Sequence, residues 1–548
     1  MTSIHDAAVE PDSIEHPVTV FEPAELADGR NERQSGPIMS GARRVLTRVW
    51  SDRRLQLLIA VALPGLYGVV AGWWTPRGPM TSGQALWAMA ISVVVGAVAG
   101  LATRSRWAML VTPIVFVSVF ELIRTGTEST TVDAVHPGSL YGLIALFTVR
   151  GFHGVVALAP MILAAAFGAA FARRVNGVTG SSRTRSKIGR SARRTAAVLA
   201  TIGLGALSVG LARPTSTAAI RGGDGRIISG SIAELTTVDI GGHRLAMMIR
   251  GNSTNNPILL YLAGGPGGSD IGAMRNHLAS LEEHFLVVTW DQRGTGKSYD
   301  QIDPISTLTF DNAVSDTIEV TNYVRHRFGH DTNKVYLVGN SYGTIVGVRA
   351  AQQHPELYAA FVGTGQMVSP RETDRIIYAD TLAWARRTGN TNVVNELTAS
   401  GPPPYTRILD YEPALSHMDD VYPYNHAPND EGAGGFSENL LADEYSLVDE
   451  AHNLAGFLDT FSIIYPQLQH IDFRVDATHL DIPVYLVEGR YEVRGRTELA
   501  HEWFNLLQAP HKQMVVFDTS GHRPLFEQPA KFTEFMTNTV LTETTPTP

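Results

Sequence analysis

"VYLVGNSYGTIVG", residues 335–347, decides the fold. Its first four residues are apolar, β-branched or aromatic, as in a buried strand, and from Tyr342 onward Ile345, Val348 and Ala351 recur at helical spacing until Pro355. Almost no loop separates strand from helix, so the chain must reverse within about three residues, and Ser341 sits at the reversal. A Cβ at Gly339 or Gly343 would collide with the neighbouring strand or helix as the chain folds back. G-x-S-x-G in this setting is a nucleophile elbow, a strained turn that lifts a hydroxyl above a sheet. The plainer reading of Ser341 is a helix N-cap.

Working outward, "NPILLYLAGGPGGSD" and "FLVVTWDQRGTGKS" each set a strand before a glycine-rich loop, and "TVDIGGHRLAMMIRG" is two alternating runs about a Gly-Gly turn, a hairpin. Strands alternating with helices predict an α/β domain with a mostly parallel sheet covered on both faces. Working residues then belong in loops at the carboxyl ends of the strands, where all three glycine loops fall. "RGTGKS" is not a phosphate loop, because that motif needs glycine where Asp291 stands. Asp291 and Arg293 are expected to brace the neighbouring "AGGPGG" loop, Ala263 to Gly268.

A serine hydroxyl needs a base, and the base needs an orienting acid, in the chain order serine, acid, histidine on such a sheet. Downstream, "DIPVYLVEGRYEVRG" and "QMVVFDTSGHRPLFEQP" each place a loop after a strand. Only His522 combines that context with a preceding glycine and a following Pro524; His354 and His501 lie in helical or irregular stretches. For the acid, loop placement favours Glu492, with Glu488 at the strand end as its rival and Asp518 further along. The amides of Gly265 and Tyr342 are the expected oxyanion donors, with Gly264 the alternative to Gly265.

The chain has 548 residues, more than one ordinary domain. Residues 1–50 are expected to form a polar, acidic, disordered cytoplasmic tail, 51–212 a membrane region, 213–228 a linker, and 229–548 the soluble domain. Hydropathy marks five spans, Leu55 to Trp74, Ala85 to Ala102, Trp107 to Ile123, Gly154 to Ala172 and Thr195 to Ala212. "LYGLIALFTV" from Leu140 is too short to cross and is expected at the interface or as an extension of the fourth span. No ionisable pair stands in mid-span; Glu121 and Arg124 lie near an edge, which favours anchoring.

Arg43, Arg44, Arg48, Arg53, Arg54, Arg104, Arg106 and the link "RRVNGVTGSSRTRSKIGRSARR" fall in alternate loops, which predicts a cytoplasmic N-terminus and a soluble domain on the outer face. Between two spans the basic link reads as a topology signal touching anionic lipid, not as a nucleic-acid site. No cleavable signal is expected at Met1, because the first apolar run begins some fifty residues in. With no cysteine, disulfides and thiolate metal sites are excluded.

Together "AGGPGGS", "WDQRGTGKS", "GNSYGT", "GRYE" and "GHRPLFEQP" resemble the proline iminopeptidase branch of the α/β-hydrolase superfamily over about residues 225–540. The resemblance implies Ser341 as nucleophile, Glu492 as acid, His522 as base, Gly265 and Tyr342 as oxyanion donors, a helical lid at about 369–480, and no metal or organic cofactor. Ala263, Tyr342 and Glu492 depart from the family's usual histidine, tryptophan and aspartate. In true iminopeptidases lid glutamates hold the substrate's free amine; here Glu431, Glu438, Asp443, Glu444, Asp449 and Glu450 offer carboxylates, most of them expected to be solvated. The expected function is a membrane-anchored serine hydrolase acting on small amides, an aminopeptidase of this type, with a lipophilic-ester hydrolase and a non-catalytic binding or sensor protein as alternatives. Its expected partners are a small peptide or ester substrate and the bilayer.

Overall fold

The computed structural model describes residues 45–75, 80–125, 138–176, 187–422, 438 and 442–545. The expected tail at 1–50 lies almost wholly outside them, as do Arg43, Arg44, Glu431 and the middle of the basic link. Among the described residues, 45–53 fall in one unit and those from 54 onward in another.

The second unit begins with apolar helices α1 (Arg53–Trp74), α2 (Ser82–Thr103), α3 (Ala108–Ile123), α4 (Leu140–Val175) and α5 (Lys187–Ala212). Four of these, α1, α2, α4 and α5, are long and apolar enough to cross a membrane. The third expected span, Trp107 to Ile123, falls on the shorter apolar α3, whose 16 residues make about 24 Å of helix. "LYGLIALFTV" is the amino-terminal part of α4, joined to the rest through a π turn at Phe147–Gly151. Helices α2 and α4 touch backbone to backbone, since a Cβ on Gly96 would stand 2.1 Å from Met161 O and one on Gly168 2.4 Å from Ala97 O. At one end of the bundle Arg173 donates to Arg104 O at 2.8 Å, and toward the other Arg150 pairs with Glu121 at 2.6 Å. Helix α3 therefore runs alongside α4 between those two contacts. Glu121, expected near the edge of a span, makes its ion pair with Arg150 close to the carboxyl end of α3.

The remainder builds an eight-stranded sheet, β1 (Ile232–Ile240), β2 (His243–Gly251), β3 (Ile258–Leu262), β4 (Leu286–Trp290), β5 (Val335–Asn340), β6 (Tyr358–Thr364), β7 (Val484–Gly489) and β8 (Lys512–Phe517). Its order is β1-β2-β4-β3-β5-β6-β7-β8, parallel except for the β1–β2 hairpin and its junction with β4. Alternation sends Leu260, Leu337 and Leu486 into the core on one face and Tyr261, Val338 and Tyr485 into the core on the other. Both faces are covered, which is why these strands read as unbroken apolar runs. Helix α6 (Phe310–Arg327) precedes β5 and α7 (Tyr342–Gln353) follows it. Between β6 and β7 the chain leaves the sheet and forms α8 (Pro370–Thr388) and α9 (Leu447–Ile464); α10 (Arg494–Leu506) follows β7.

Candidate active site

Ser341 is the single residue between β5 and α7, at φ 52° and ψ −120°, a left-handed backbone that a side chain rarely adopts. The turn is held because Ser341 N–H donates to Thr364 O at 3.0 Å and the Thr344 hydroxyl to Ser341 O at 2.5 Å. The flanking glycines are demanded by space: a Cβ on Gly343 would lie 2.1 Å from Leu262 O on β3, and one on Gly339 2.6 Å from Gly343 O.

His522 follows β8 in a loop clamped by Glu527, whose carboxylate accepts from the amides of Gly521 and Arg523 on either side of the histidine. Glu492, in the loop after β7, is fully buried and its Oε2 lies 2.5 Å from His522 Nδ1. Its Oε1 accepts from Val493 N–H at 2.8 Å and from Arg496 Nη1 at 3.2 Å. Burial would raise this carboxyl, but the charges of His522 and Arg496 outweigh it and hold Glu492 well below the usual carboxylate range. The contact with a carboxylate requires Nδ1–H, which leaves Nε2 as the lone-pair nitrogen. Burial and then Arg496 lower His522, against the pull of Glu492.

The rival acids are elsewhere engaged. Glu488 is buried at the end of β7, accepts from Gln366 N–H at 3.1 Å, and is pushed far up by burial and by the neighbouring Glu492 charge. Asp518 is ion-paired with Lys531 at 2.7 Å.

A cavity of about 300 Å³ joins Ser341 and His522 with Gly264, Gly265 and Gly268 of the loop after β3. Tyr342 opens helix α7, and its ring is buried. Asp291 does brace the glycine loop, taking a hydrogen bond from Ser269 and another from Lys297 N–H at 2.8 Å; burial pushes its carboxyl up to about 7. Arg293 does not. Its guanidinium forks onto Asp316 of α6 at 2.6 and 2.7 Å and reaches Gly241 O in the β1–β2 turn, because a buried cation is best matched by a carboxylate in bidentate geometry.

The cavity's outer wall comes from the segment between β6 and β7. Phe457, Phe461 and Tyr465 make it aromatic, and Asp374 of α8 sets one carboxyl into it. Asp374 accepts from Tyr465 OH at 2.7 Å and from Gln469 at 3.3 Å, and burial raises it to about 6. The acids expected there are committed to structure instead: Glu438 to His277 at 2.8 Å, Asp443 to Arg213 at 2.6 Å, fully buried Glu444 to Arg275 at 2.6 Å, and Asp449 to Lys297 at 3.0 Å. Asp443 and Arg213 are both exposed, so that pair sits in solvent as expected; the expectation is corrected for Glu438, Glu444 and Asp449, which are buried or half-buried in their ion pairs. Asp374 and Arg496 were missed in the sequence because neither belongs to a motif. Among the described residues no cluster of three or more His, Asp or Glu side chains could hold a metal ion.

Residues 257–529 match the family model for the α/β hydrolase fold. This stretch belongs to the α/β-hydrolase superfamily. Among curated proteins the chain is similar to the probable aminopeptidase YbaC of Bacillus subtilis (strain 168), 27% identical over 306 residues that cover 55% of this chain and 94% of that one. It is also similar to a probable proline iminopeptidase of Leptolyngbya boryana, 23% identical over 291 residues, covering 50% of this chain and 83% of that one. Among solved structures, the proline iminopeptidase-related protein of Thermus thermophilus aligns at 20% identity with a TM-score of 0.41, covering 57% of this chain and 98% of that one. The α/β domain is thus a hydrolase whose relatives carry aminopeptidase names.

Proposed function

We propose that the protein is a membrane-anchored serine hydrolase that removes proline or another small residue from the N-terminus of a peptide or amide. The observation that carries this reading is the buried Glu492–His522 contact at 2.5 Å, opening onto the same cavity as Ser341. In the proposed cycle His522 Nε2 takes the Ser341 proton as Oγ attacks the substrate carbonyl, and the developing oxyanion is met by the amides of Gly265 and Tyr342. The imidazolium, stabilised by Glu492, then protonates the departing amine. Water repeats the sequence on the acyl-enzyme with the same base, restoring the Ser341 hydroxyl.

Aminopeptidase specificity is supported by the relatives' names and by Asp374, a carboxyl in the cavity wall that can pair with a substrate ammonium. The aromatic wall of Phe457, Phe461 and Tyr465 suits a flat pyrrolidine ring, and equally favours the second reading, a hydrolase of lipophilic esters. Turnover of prolyl p-nitroanilide, its N-acetyl derivative and p-nitrophenyl butyrate separates them. The aminopeptidase reading expects the free prolyl amide to lead and N-acetylation to abolish its turnover; butyrate turnover alone would support the ester hydrolase. Loss of no activity in Ser341→Ala would instead favour a binding or sensor protein.

We place the hydrolase domain on the outer face. In support, α3 accompanies α4 from the Arg104–Arg173 contact to the Glu121–Arg150 pair, so counting it as a crossing segment keeps an odd number of crossings and a cytoplasmic N-terminus.

A further inference from the structure

Helix α9 belongs to two parts of the molecule. Toward its amino-terminal end it is packed into the apolar helices, where Val448 is buried with Ala85 and Met89 of α2, Val156 of α4 and Leu211 of α5. The buried His452 ring meets Phe152 and His153 of α4 edge-on, at 5.6 and 5.4 Å. A Cβ on Gly210 of α5 would stand 2.4 Å from Leu447 Cδ1, so the backbone of α5 touches the first residue of α9. A second tie lies close by: Glu412, from the same segment between β6 and β7, accepts from the Ser139 hydroxyl and from Leu140 N–H at 2.9 Å, at the start of α4.

Toward its carboxyl-terminal end the same helix forms part of the catalytic pocket. Phe457 and Phe461 line the cavity that holds Ser341. Phe457 O comes so near the glycine loop after β3 that a Cβ on Gly267 would be 2.7 Å away, and the Thr460 hydroxyl donates to Gly294 O, in the loop after β4, at 2.7 Å. Val448 and Phe457 are nine positions apart, which is about 14 Å of helix. Ala145 and Val149 of α4 are buried in the same core as Ala455 and Leu458 of α9, so the contact with the apolar helices continues along the rod.

A helix clamped at both ends is stiff, and a close-packed interior passes a displacement on instead of absorbing it. We infer that α9 is a fixed strut through which the apolar helices position the substrate wall, so that Leu447, Val448 and His452, which touch no part of the cavity, are positioning residues for the hydrolase reaction proposed above. The inference rests on that reading of Ser341 and extends it: the apolar helices then do more than anchor the domain. A shift at Leu447 moves Phe457 and Phe461 relative to Ser341, and substrate binding weakens while Glu492 and His522, held on β7 and β8 loops, keep their places.

The test uses the full chain in lipid nanodiscs, with the faster of prolyl p-nitroanilide and p-nitrophenyl butyrate as substrate. Gly210→Phe, in a helix that lines no part of the catalytic pocket, drives a ring against Leu447. KM should rise about tenfold with kcat within about threefold, the signature of lost binding with the chemistry intact. Adding Leu447→Ala makes room for the ring and should bring KM back. Val448→Phe applies the same push from α9 if Gly210→Phe does not fold, and a cooperative thermal transition shows that a variant is folded. Because the chain has no cysteine, Gly210→Cys with Leu447→Cys gives a unique pair, expected to cross-link on oxidation with KM and kcat unchanged from the reduced form. An unchanged KM in the folded push variants, a raised KM that Leu447→Ala leaves in place, failure of the pair to cross-link, or turnover that oxidation abolishes and dithiothreitol restores overturns the inference. Turnover of neither substrate by the native protein would contradict the proposed function instead, since the cross-link reads the contact without any substrate.

Discussion

Replacing Glu492 by glutamine tests how the proposed base is held. The carboxylate that accepts Nδ1–H at 2.5 Å becomes an amide whose NH₂ can donate to Nδ1 instead, which stabilises the Nε2–H tautomer and takes the lone pair away from Ser341. Arg496, 3.2 Å from both groups, then faces the imidazole with no negative charge between them and opposes formation of the imidazolium. In the serine-histidine-aspartate template the corresponding change lowers kcat about 10⁴-fold, about 5 kcal/mol of barrier. We expect Glu492→Gln to cost about 10³- to 10⁴-fold in kcat with a small change in KM. Glu488→Gln is the internal control: burial and the Glu492 charge favour the neutral form of that carboxyl, and a glutamine oxygen can still accept from Gln366 N–H, so a loss below about threefold is expected. Single-turnover release of p-nitrophenol, with each variant's thermal unfolding measured alongside, gives the comparison. A heavy loss in Glu488→Gln with near-normal rates in Glu492→Gln would refute the assignment of the acid.

Further outcomes follow from the geometry. Asp374→Asn should raise KM for prolyl p-nitroanilide by about 10- to 100-fold and leave butyrate hydrolysis within about threefold, because only the amide carries an ammonium. Since burial raises Asp374 to about 6, its charge is present above that pH and lost as pH falls through it; affinity for the amine should therefore weaken below about pH 6 in the native protein and show no such step in the asparagine variant. The same raised carboxyl makes a contribution to folding that is most favourable below about pH 4 and declines as pH rises through 6. Gly343→Ala would drive a methyl group to 2.1 Å from Leu262 O, so a loss of about 3 kcal/mol or more, read as a lower Tm, should accompany loss of serine reactivity.

The parts legible in the sequence were those with local signatures. The elbow announces itself because a strand, a serine between glycines and a helix are contiguous, and the His522 loop because Gly521 and Pro524 bracket it. The parallel strands were readable as apolar runs because both faces of the sheet are covered. What escaped depends on contacts between distant residues. Asp374 meets Tyr465 across 91 positions, Arg293 finds Asp316 on a helix rather than the glycine loop, and Glu121 finds Arg150 only because α4 continues past the expected fourth span. Charge alone did not separate the acid that enters the cavity from those tied to Arg213, Arg275 and Lys297. Hydropathy likewise located α3 without revealing that its helix is only 16 residues long.

The most direct measurement is covalent. Intact cells or right-side-out vesicles holding the full chain would be treated with a membrane-impermeant fluorophosphonate and the adduct located by peptide mass spectrometry. A serine made nucleophilic by His522 on the outer face predicts one adduct, on Ser341, absent from Ser341→Ala and strongly slowed in His522→Ala. Reaction confined to inverted vesicles would contradict the orientation, and an adduct at another residue, or none with the protein folded, would contradict the chemistry.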